Sequence, residues 1–433
     1  MRKITFILFL LLTASSIVKS QYFPPISGNN WDTINPSSLG YCQSKIDTLY
    51  NFLETRNTKG FIILKDGKIV LEKYFGNFTK DSIRYWASAG KSLTAMLTGI
   101  AQDKGFINID NPVSTYLGSG WTSAPANKES AITVKHLLEM TSGLKDNPTG
   151  NCDNEDPDVL CLQYLTDTNT RWAYHTGAYK RLQDVISSTS GLTYNAFTNT
   201  YLGSKIGMFG IWVDGIFYSK TRAMARFGLL SLNKGIWQND TLLKSTLFYN
   251  SMINTSQSYN KAYGYLWWLN GKSSFQAPGI QFVFNGSLMP NAPSDMFSAL
   301  GKNDQKIYVV PSQNMVVVRN GESAYGIAAA FSPFDDELWG YIKNLSCSST
   351  GITTSLKDEY FNLYPNPTSN NIFIHSDYVI DEILIENSMG QTLLIDKPQE
   401  KNYTINLDHL PRGLYFIKAR IKDNLIIKKL IKN

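Results

Sequence analysis

The chain opens with an apolar run, ITFILFLLLTASSIV, behind the basic triplet MRK. The run is short for a spanning helix and ends in small residues before Gln21. Residues 1–20 therefore read as an export signal, cleaved after Ser20. Residues 21–40 are rich in Pro, Gly, Asn and Ser and predict an irregular arm. From there the apolar positions switch between two periods. A helical period covers about Ser44–Arg56. GFIILKDGKIVLEKYFG is a hairpin, two β-prone runs around Asp66-Gly67. A helix opens at Ser88 and runs to about Lys104, where Gly105 stops it. TVKHLLEM predicts another, capped by Thr133. Helical patterns dominate 155–255, with loops at Gly191 and Gly203. After YGYLWWLN strands return in KIYVVP and NMVVVRNG, and FDDELWGYIKNL predicts a closing helix.

The pattern changes again at SCSSTGITTS, which opens a polar linker over 346–360. Beyond it short alternating runs recur every 8–12 positions: NIFIHS, EILIEN, QTLLID, YTINL, LYFIKARI and NLIIKKLIK. These predict an all-β, Ig-like sandwich over 361–433. The expectation is a mixed α/β (α+β) unit over 41–345, an antiparallel sheet flanked by helices, followed by the sandwich. No internal repeat and no heptads are present.

Composition narrows the function. Of 433 residues 43% are hydrophobic and 18% charged, which is globular. The net charge of +6 comes without a stripe of Arg interleaved with aromatics, so nucleic acid is not an expected partner. No later segment reaches 18 uninterrupted apolar residues, so no transmembrane segment is expected after signal removal. The four cysteines form no C-x-x-C pair, which speaks against zinc. In an exported chain their even number predicts disulfides: Cys152 with Cys161 around the acidic loop NEDPDVL, and Cys42 with Cys347.

The candidate chemistry lies in YWASAGKSLTAML. Ser88 and Lys91, at i and i+3, share one helix face. The S-x-x-K spacing occurs five times, at Ser16, Ser88, Ser142, Ser231 and Ser258, so spacing alone decides nothing. Only Ser88 combines a helix start, whose free N–H groups suit an oxyanion, with a lysine set among apolar residues. Burial favours a neutral lysine, and a neutral lysine is a base. There is no G-x-S-x-G elbow. Of four histidines only His175 is well placed, so a Ser-His-Asp triad is not expected.

Four stretches resemble the serine β-lactamases and penicillin-binding proteins, especially the esterases and peptidases related to class C enzymes. They are SAGKSLTAMLTGIAQDKGFINIDNPVSTYL, ITVKHLLEMTSGL, WAYHTGAY and FSALGKNDQKIYVVPSQNMVVVRNG. The resemblance implies that family's fold with a helical subdomain, no metal and no organic cofactor. It implies Ser88 as the acylated nucleophile and Lys91 and Tyr174 as base and acid. The backbone N–H groups of Ser88 and Lys302 would form the oxyanion hole. The chain departs from the pattern twice. Thr176 stands where an Asn contacts a substrate amide. Ala299-Leu300-Gly301 aligns with Lys-Thr-Gly, so the first-position cation is missing at Ala299. Strand alternation places Lys302 on the face opposite Ala299 and Gly301. Both changes weaken recognition of a β-lactam carboxylate. The expectation is an esterase or peptidase-like hydrolase of small ester, amide or peptide substrates. The alternatives are a β-lactamase, a D-Ala-D-Ala carboxypeptidase, or a non-catalytic binding module.

The sandwich carries a second resemblance. Pro365, Asn366, Pro367, Gly413, Tyr415 and the terminal lysines match a type IX secretion sorting domain. That implies the secretion machinery as a partner and a secreted or cell-surface location.

Overall fold

The computed structural model describes residues 21–326, 329–347, 361–387, 390–421 and 424–433. The expected signal at 1–20 and the linker from 348 to 360 lie outside them. The chain divides between Ser346 and Cys347 into two compact units.

In the first unit, helix α1 (Gln43–Thr55) leads into the hairpin of β1 (Thr58–Lys65) and β2 (Lys68–Tyr74). Its turn residues Asp66 and Gly67 both have positive φ, 53° and 80°, as an Asp-Gly hairpin turn requires. Next come β3 (Ile83–Tyr85), a tight 3₁₀ turn at Ala87–Ala89, and α2 (Gly90–Asp103). Helix α3 (Val134–Glu139) starts at a Thr133–His136 capping box. Helix α4 (Thr176–Ser190) ends at left-handed Gly191. Then follow β4 (Gly210–Val213), β5 (Ile216–Lys220) and α5 (Thr221–Leu232). Strands β6 (Trp268–Leu269), β7 (Phe297–Gly301), β8 (Gln305–Val310) and β9 (Met315–Gly321) precede α6 (Pro333–Lys343).

The main sheet is antiparallel with strand order β2-β1-β9-β8-β7-β6. Strands β7, β8 and β9 are buried at every position, because helices cover both faces. Lys306 and Tyr308 point to α6, where they bond Asp335. Ile307 points to α5, and a Cβ on Gly228 would lie 3.0 Å from its methyl. Helix α1 joins α6 through a stacked Phe52–Phe334 pair. Helix α2 is buried all round from Gly90 to Ala101, which matches its apolar sequence.

Two expectations change. Region 155–255 is less helical than its pattern suggests: β4 and β5 form a hairpin at Asp214-Gly215, and β3 joins it. The period-2 run IWVDGIFYS carries that signal, lost between two helical stretches. Gly203 lies inside a π-helical turn, Asn199–Gly203, and not in a loop; a Cβ there would lie 2.7 Å from Met208 O, so the glycine serves a close backbone approach and not a chain reversal. The second unit is a sandwich of one three-stranded and one four-stranded antiparallel sheet around its own core, with Ile372, Ile383, Ile405 and Ile417 at its centre.

Candidate active site

The site is built where β3 turns into α2. Trp86 is fully buried and fixes the turn, its Nε1 donating to Ser219 Oγ at 2.7 Å and its N–H to Phe217 O at 2.8 Å. Ala87 then sits at φ 47°, a left-handed conformation that costs a non-glycine residue about 1 kcal/mol or more. This bend leaves Ser88 half-buried while its neighbours on both sides are buried. One turn on, Lys91 donates from Nζ to Ser88 Oγ at 3.1 Å.

Lys91 is 3% exposed. Its ammonium lies 4.9 Å from the ring centre of Tyr174 and 4.7 Å from that of Tyr179. Among the described residues no carboxylate comes within ion-pair distance of it. Burial therefore pulls its pKa down to about 7; the charge of Glu155 opposes the shift, while Lys180 and Lys302 add to it. Tyr174, packed among Trp172, Tyr263 and Trp268, moves the other way. Burial raises its pKa well above the ordinary tyrosine value, and a hydrogen bond with Ser88 offsets part of the rise. At neutral pH the lysine can accept a proton and the tyrosine carries one. Tyr263 and Trp268 of the aromatic YGYLWWLN stretch thus form the wall behind Tyr174.

The opposite wall is the end of β7. A Cβ on Gly301 would lie 2.4 Å from Trp86 O and 3.1 Å from Ser88 N, so only glycine lets the strand reach the serine turn. Ala299 is 0% exposed, inside the strand and away from solvent. Lys302 begins the β7–β8 turn, in which Asn303 and Asp304 both have positive φ. Arg319, fully buried, donates to the carbonyls of Asn303 and Asp304 at 3.1 and 2.9 Å. Gln305 Nε2 donates to Asn303 O at 2.7 Å, and Asn303 Nδ2 to Tyr85 Oη at 2.8 Å. The turn carrying the Lys302 N–H is thus held from below and from the β3 side.

The third wall is the loop closed by the Cys152–Cys161 disulfide. Its Asn154 donates to Tyr174 O at 2.9 Å and accepts from the Thr176 N–H at 3.0 Å. Thr176 is the first residue of α4, capped by His175, whose Nδ1 accepts from the Ala178 N–H. Burial pulls His175 down to a pKa of about 4, so it is a neutral capping residue. Glu155, next to Asn154, accepts from Lys302 Nζ at 3.0 Å. Sequence reasoning missed Asn154 and Glu155; the disulfide expected around them was the available signal. Cys152, Asp156 and Cys161 cluster closely, but both sulfurs are used in the disulfide. Cys42 and Cys347 are also disulfide-bonded, and no cysteine is free.

Residues 52–328 match the family model described as Beta-lactamase. The chain belongs to the beta-lactamase family. Residues 362–433 match the Secretion system C-terminal sorting domain, so the second unit is such a domain and the protein is secreted or displayed at the cell surface. An uncharacterized protein of Alkalihalophilus pseudofirmus is 23% identical over 300 residues, 59% of this chain and 81% of that protein. Penicillin-binding protein 4* of Bacillus subtilis is 25% identical over 186 residues, 38% of this chain; the match spans 40% of its length. A solved penicillin-binding protein homologue from Caulobacter crescentus aligns with a TM-score of 0.52 and 12% identity over 71% of this chain and 99% of that one. The first unit has the fold of the beta-lactamase family, whose members are serine hydrolases. No helix among the described residues is long and apolar enough to cross a membrane.

Proposed function

We propose that this beta-lactamase family member is an active serine hydrolase of small esters or amides, working through an acyl-enzyme on Ser88. The observation that carries the reading is a buried lysine, 3.1 Å from a serine hydroxyl and with no counter-ion among the described residues. Lys91 takes the Ser88 proton as Oγ attacks the substrate carbonyl. The N–H groups of Ser88 and Lys302 receive the oxyanion, each such donor being worth on the order of 100- to 1,000-fold in rate. Tyr174, protonated at neutral pH and hydrogen-bonded to Ser88, passes a proton to the leaving group. Water then cleaves the acyl-enzyme with the same groups in reverse roles. Thr176 borders the substrate and Gly301 the Ser88 turn, and neither brings a charge; Ala299 is buried inside β7, so it lines no substrate, and its position lacks the family's cation. That favours esterase or peptidase-like substrates over β-lactams. The order of parts follows: signal 1–20, hydrolase 41–345, linker 346–360, sorting domain 361–433.

A fluorophosphonate probe followed by peptide mapping tests the nucleophile, with labelling expected on Ser88 and absent from Ser88→Ala. A panel of p-nitrophenyl esters, D-amino acid amides and a chromogenic cephalosporin tests the substrate class. Faster turnover of the cephalosporin than of the esters would overturn the esterase assignment.

A further inference from the structure

The Cys152–Cys161 loop does more than cover the site. It is locked to the Tyr174 wall by Asn154 and by Gly177, whose N–H donates to Asn154 O at 2.7 Å. A Cβ on Gly177 would lie 2.1 Å from Asp156 O, so the loop and the start of α4 are in contact with no room between them. From this anchored loop Glu155 reaches across to the other wall. Its carboxylate accepts from Lys302 Nζ at 3.0 Å, and its backbone carbonyl accepts from Lys180 Nζ at 2.8 Å. Lys302 directly follows Gly301, the residue against the Ser88 N–H. One carboxylate therefore spans the cleft from the Tyr174 side to the oxyanion side. The carboxylate holds the Lys302 ammonium and the Glu155 backbone carbonyl holds that of Lys180, the two cations whose charge reaches Lys91.

We propose that Glu155 is a specificity-determining residue that restricts this hydrolase to substrates uncharged on the Lys302 side of the scissile bond, neutral esters and amides. The inference rests on the serine-hydrolase reading above. A substrate carboxylate entering there meets Glu155 and finds Lys302 already engaged. The Glu155–Lys302 pair is itself half-exposed, with side chains 52% and 42% accessible, so it opens readily and acts as a filter and not a seal. Like charges brought together at a site reject a ligand, and partial exposure limits the rejection to about tenfold.

The test uses the full-length protein and its Glu155→Gln and Glu155→Ala variants on two matched substrate pairs. One pair varies the leaving group, 3-carboxyphenyl butyrate against 3-carbamoylphenyl butyrate. The other varies the acyl group, p-nitrophenyl hydrogen adipate against p-nitrophenyl hexanoate. The readout is the anionic-to-neutral ratio of kcat/KM, which cancels any common change in Lys91. The expected result is a ratio about tenfold higher in both variants for at least one pair, and that pair identifies the side of the bond that Lys302 faces. A measurement on the unmodified protein guards against a misfolded variant. If Glu155 repels the anion, added salt raises the ratio; if the lysines attract it, salt lowers the ratio. Ratios unchanged within about twofold in both variants, or a ratio that falls with salt, overturn the inference alone. Absence of Ser88-dependent turnover on all four substrates overturns the hydrolase reading and this inference with it.

Discussion

Two lysines of the same unit are buried to a similar degree and put to opposite uses. Lys306 is 0% exposed and has an acceptor for each of its donors: Ala330 O at 2.8 Å, Asp335 at 2.9 Å and Asp304 at 3.2 Å. Lys91 is 3% exposed and bonds one hydroxyl, with aromatic faces filling the rest of its surroundings. The first arrangement joins α6 to the middle of the sheet. The second leaves a cation that the protein solvates poorly, and such a group gives up its proton near neutrality. Burial alone does not make a base; burial without a counter-ion does.

The contrast breaks most sharply through substitution at the site. Ser88→Ala is expected to lower turnover by about four orders of magnitude or more, with the fold intact by circular dichroism. Lys91→Met and Tyr174→Phe should each cost several orders of magnitude, and the double variant little more, because the groups act as a unit. In urea denaturation Lys91→Met should be no less stable than the parent, since it removes a poorly solvated charge. Lys306→Met is the converse. It leaves Asp304 and Asp335 buried without their cation and should cost about 3–5 kcal/mol of stability, while molecules that remain folded keep their rate.

Acidity sharpens the comparison further. The rate should rise with pH along a limb centred near 7, as Lys91 loses its proton. Glu155→Gln should move that limb to lower pH, because the Glu155 charge holds the proton on Lys91. Stability has a linked signature. Lys91 binds its proton more weakly in the fold than in the unfolded chain, so the unfolded state holds more protons between about pH 7 and the ordinary lysine range. Stability therefore gains a contribution as pH rises through that window, and Lys91→Met should lack it. A rate limb that stays in place in Glu155→Gln would mean that the loop carboxylate lies too far from Lys91 to matter.

The closeness of Ser88 and Lys91 was legible in the sequence because they lie three residues apart, across a 3₁₀ turn and the start of α2, and apolar neighbours marked Lys91 as buried. The hairpin at β1 and β2 was equally plain, since Asp66-Gly67 names its own turn. What stayed hidden depends on pairs distant in the chain. Nothing near Lys306 shows that Asp335 will meet it, and nothing near Glu155 shows that Lys302 will. Gly301 reads as a motif position, but its physical necessity appears only when Trp86 O is found beside it. Strand alternation separates Ala299 and Gly301 from Lys302, but it does not show that helices on both sides of the sheet bury the whole strand, Ala299 included. The β4–β5 hairpin was masked by the helices on either side of it.

The order of the main sheet also sets a timetable. Strand β1 pairs with β9, joining Thr58 to Gly321 and Lys65 to Met315. A chain delivered from its N-terminus presents the Ser88 turn and the Lys91 helix early. It then waits for more than half its length before the partner strand arrives. Gly301 reaches its place only with the sheet that β9 completes, and Asp335 secures that sheet later still. Contacts so far apart in sequence form slowly and late. A partly delivered chain therefore holds the Ser88 turn and the Lys91 helix without the Gly301 wall, and the proposed site is complete only once the whole unit has emerged.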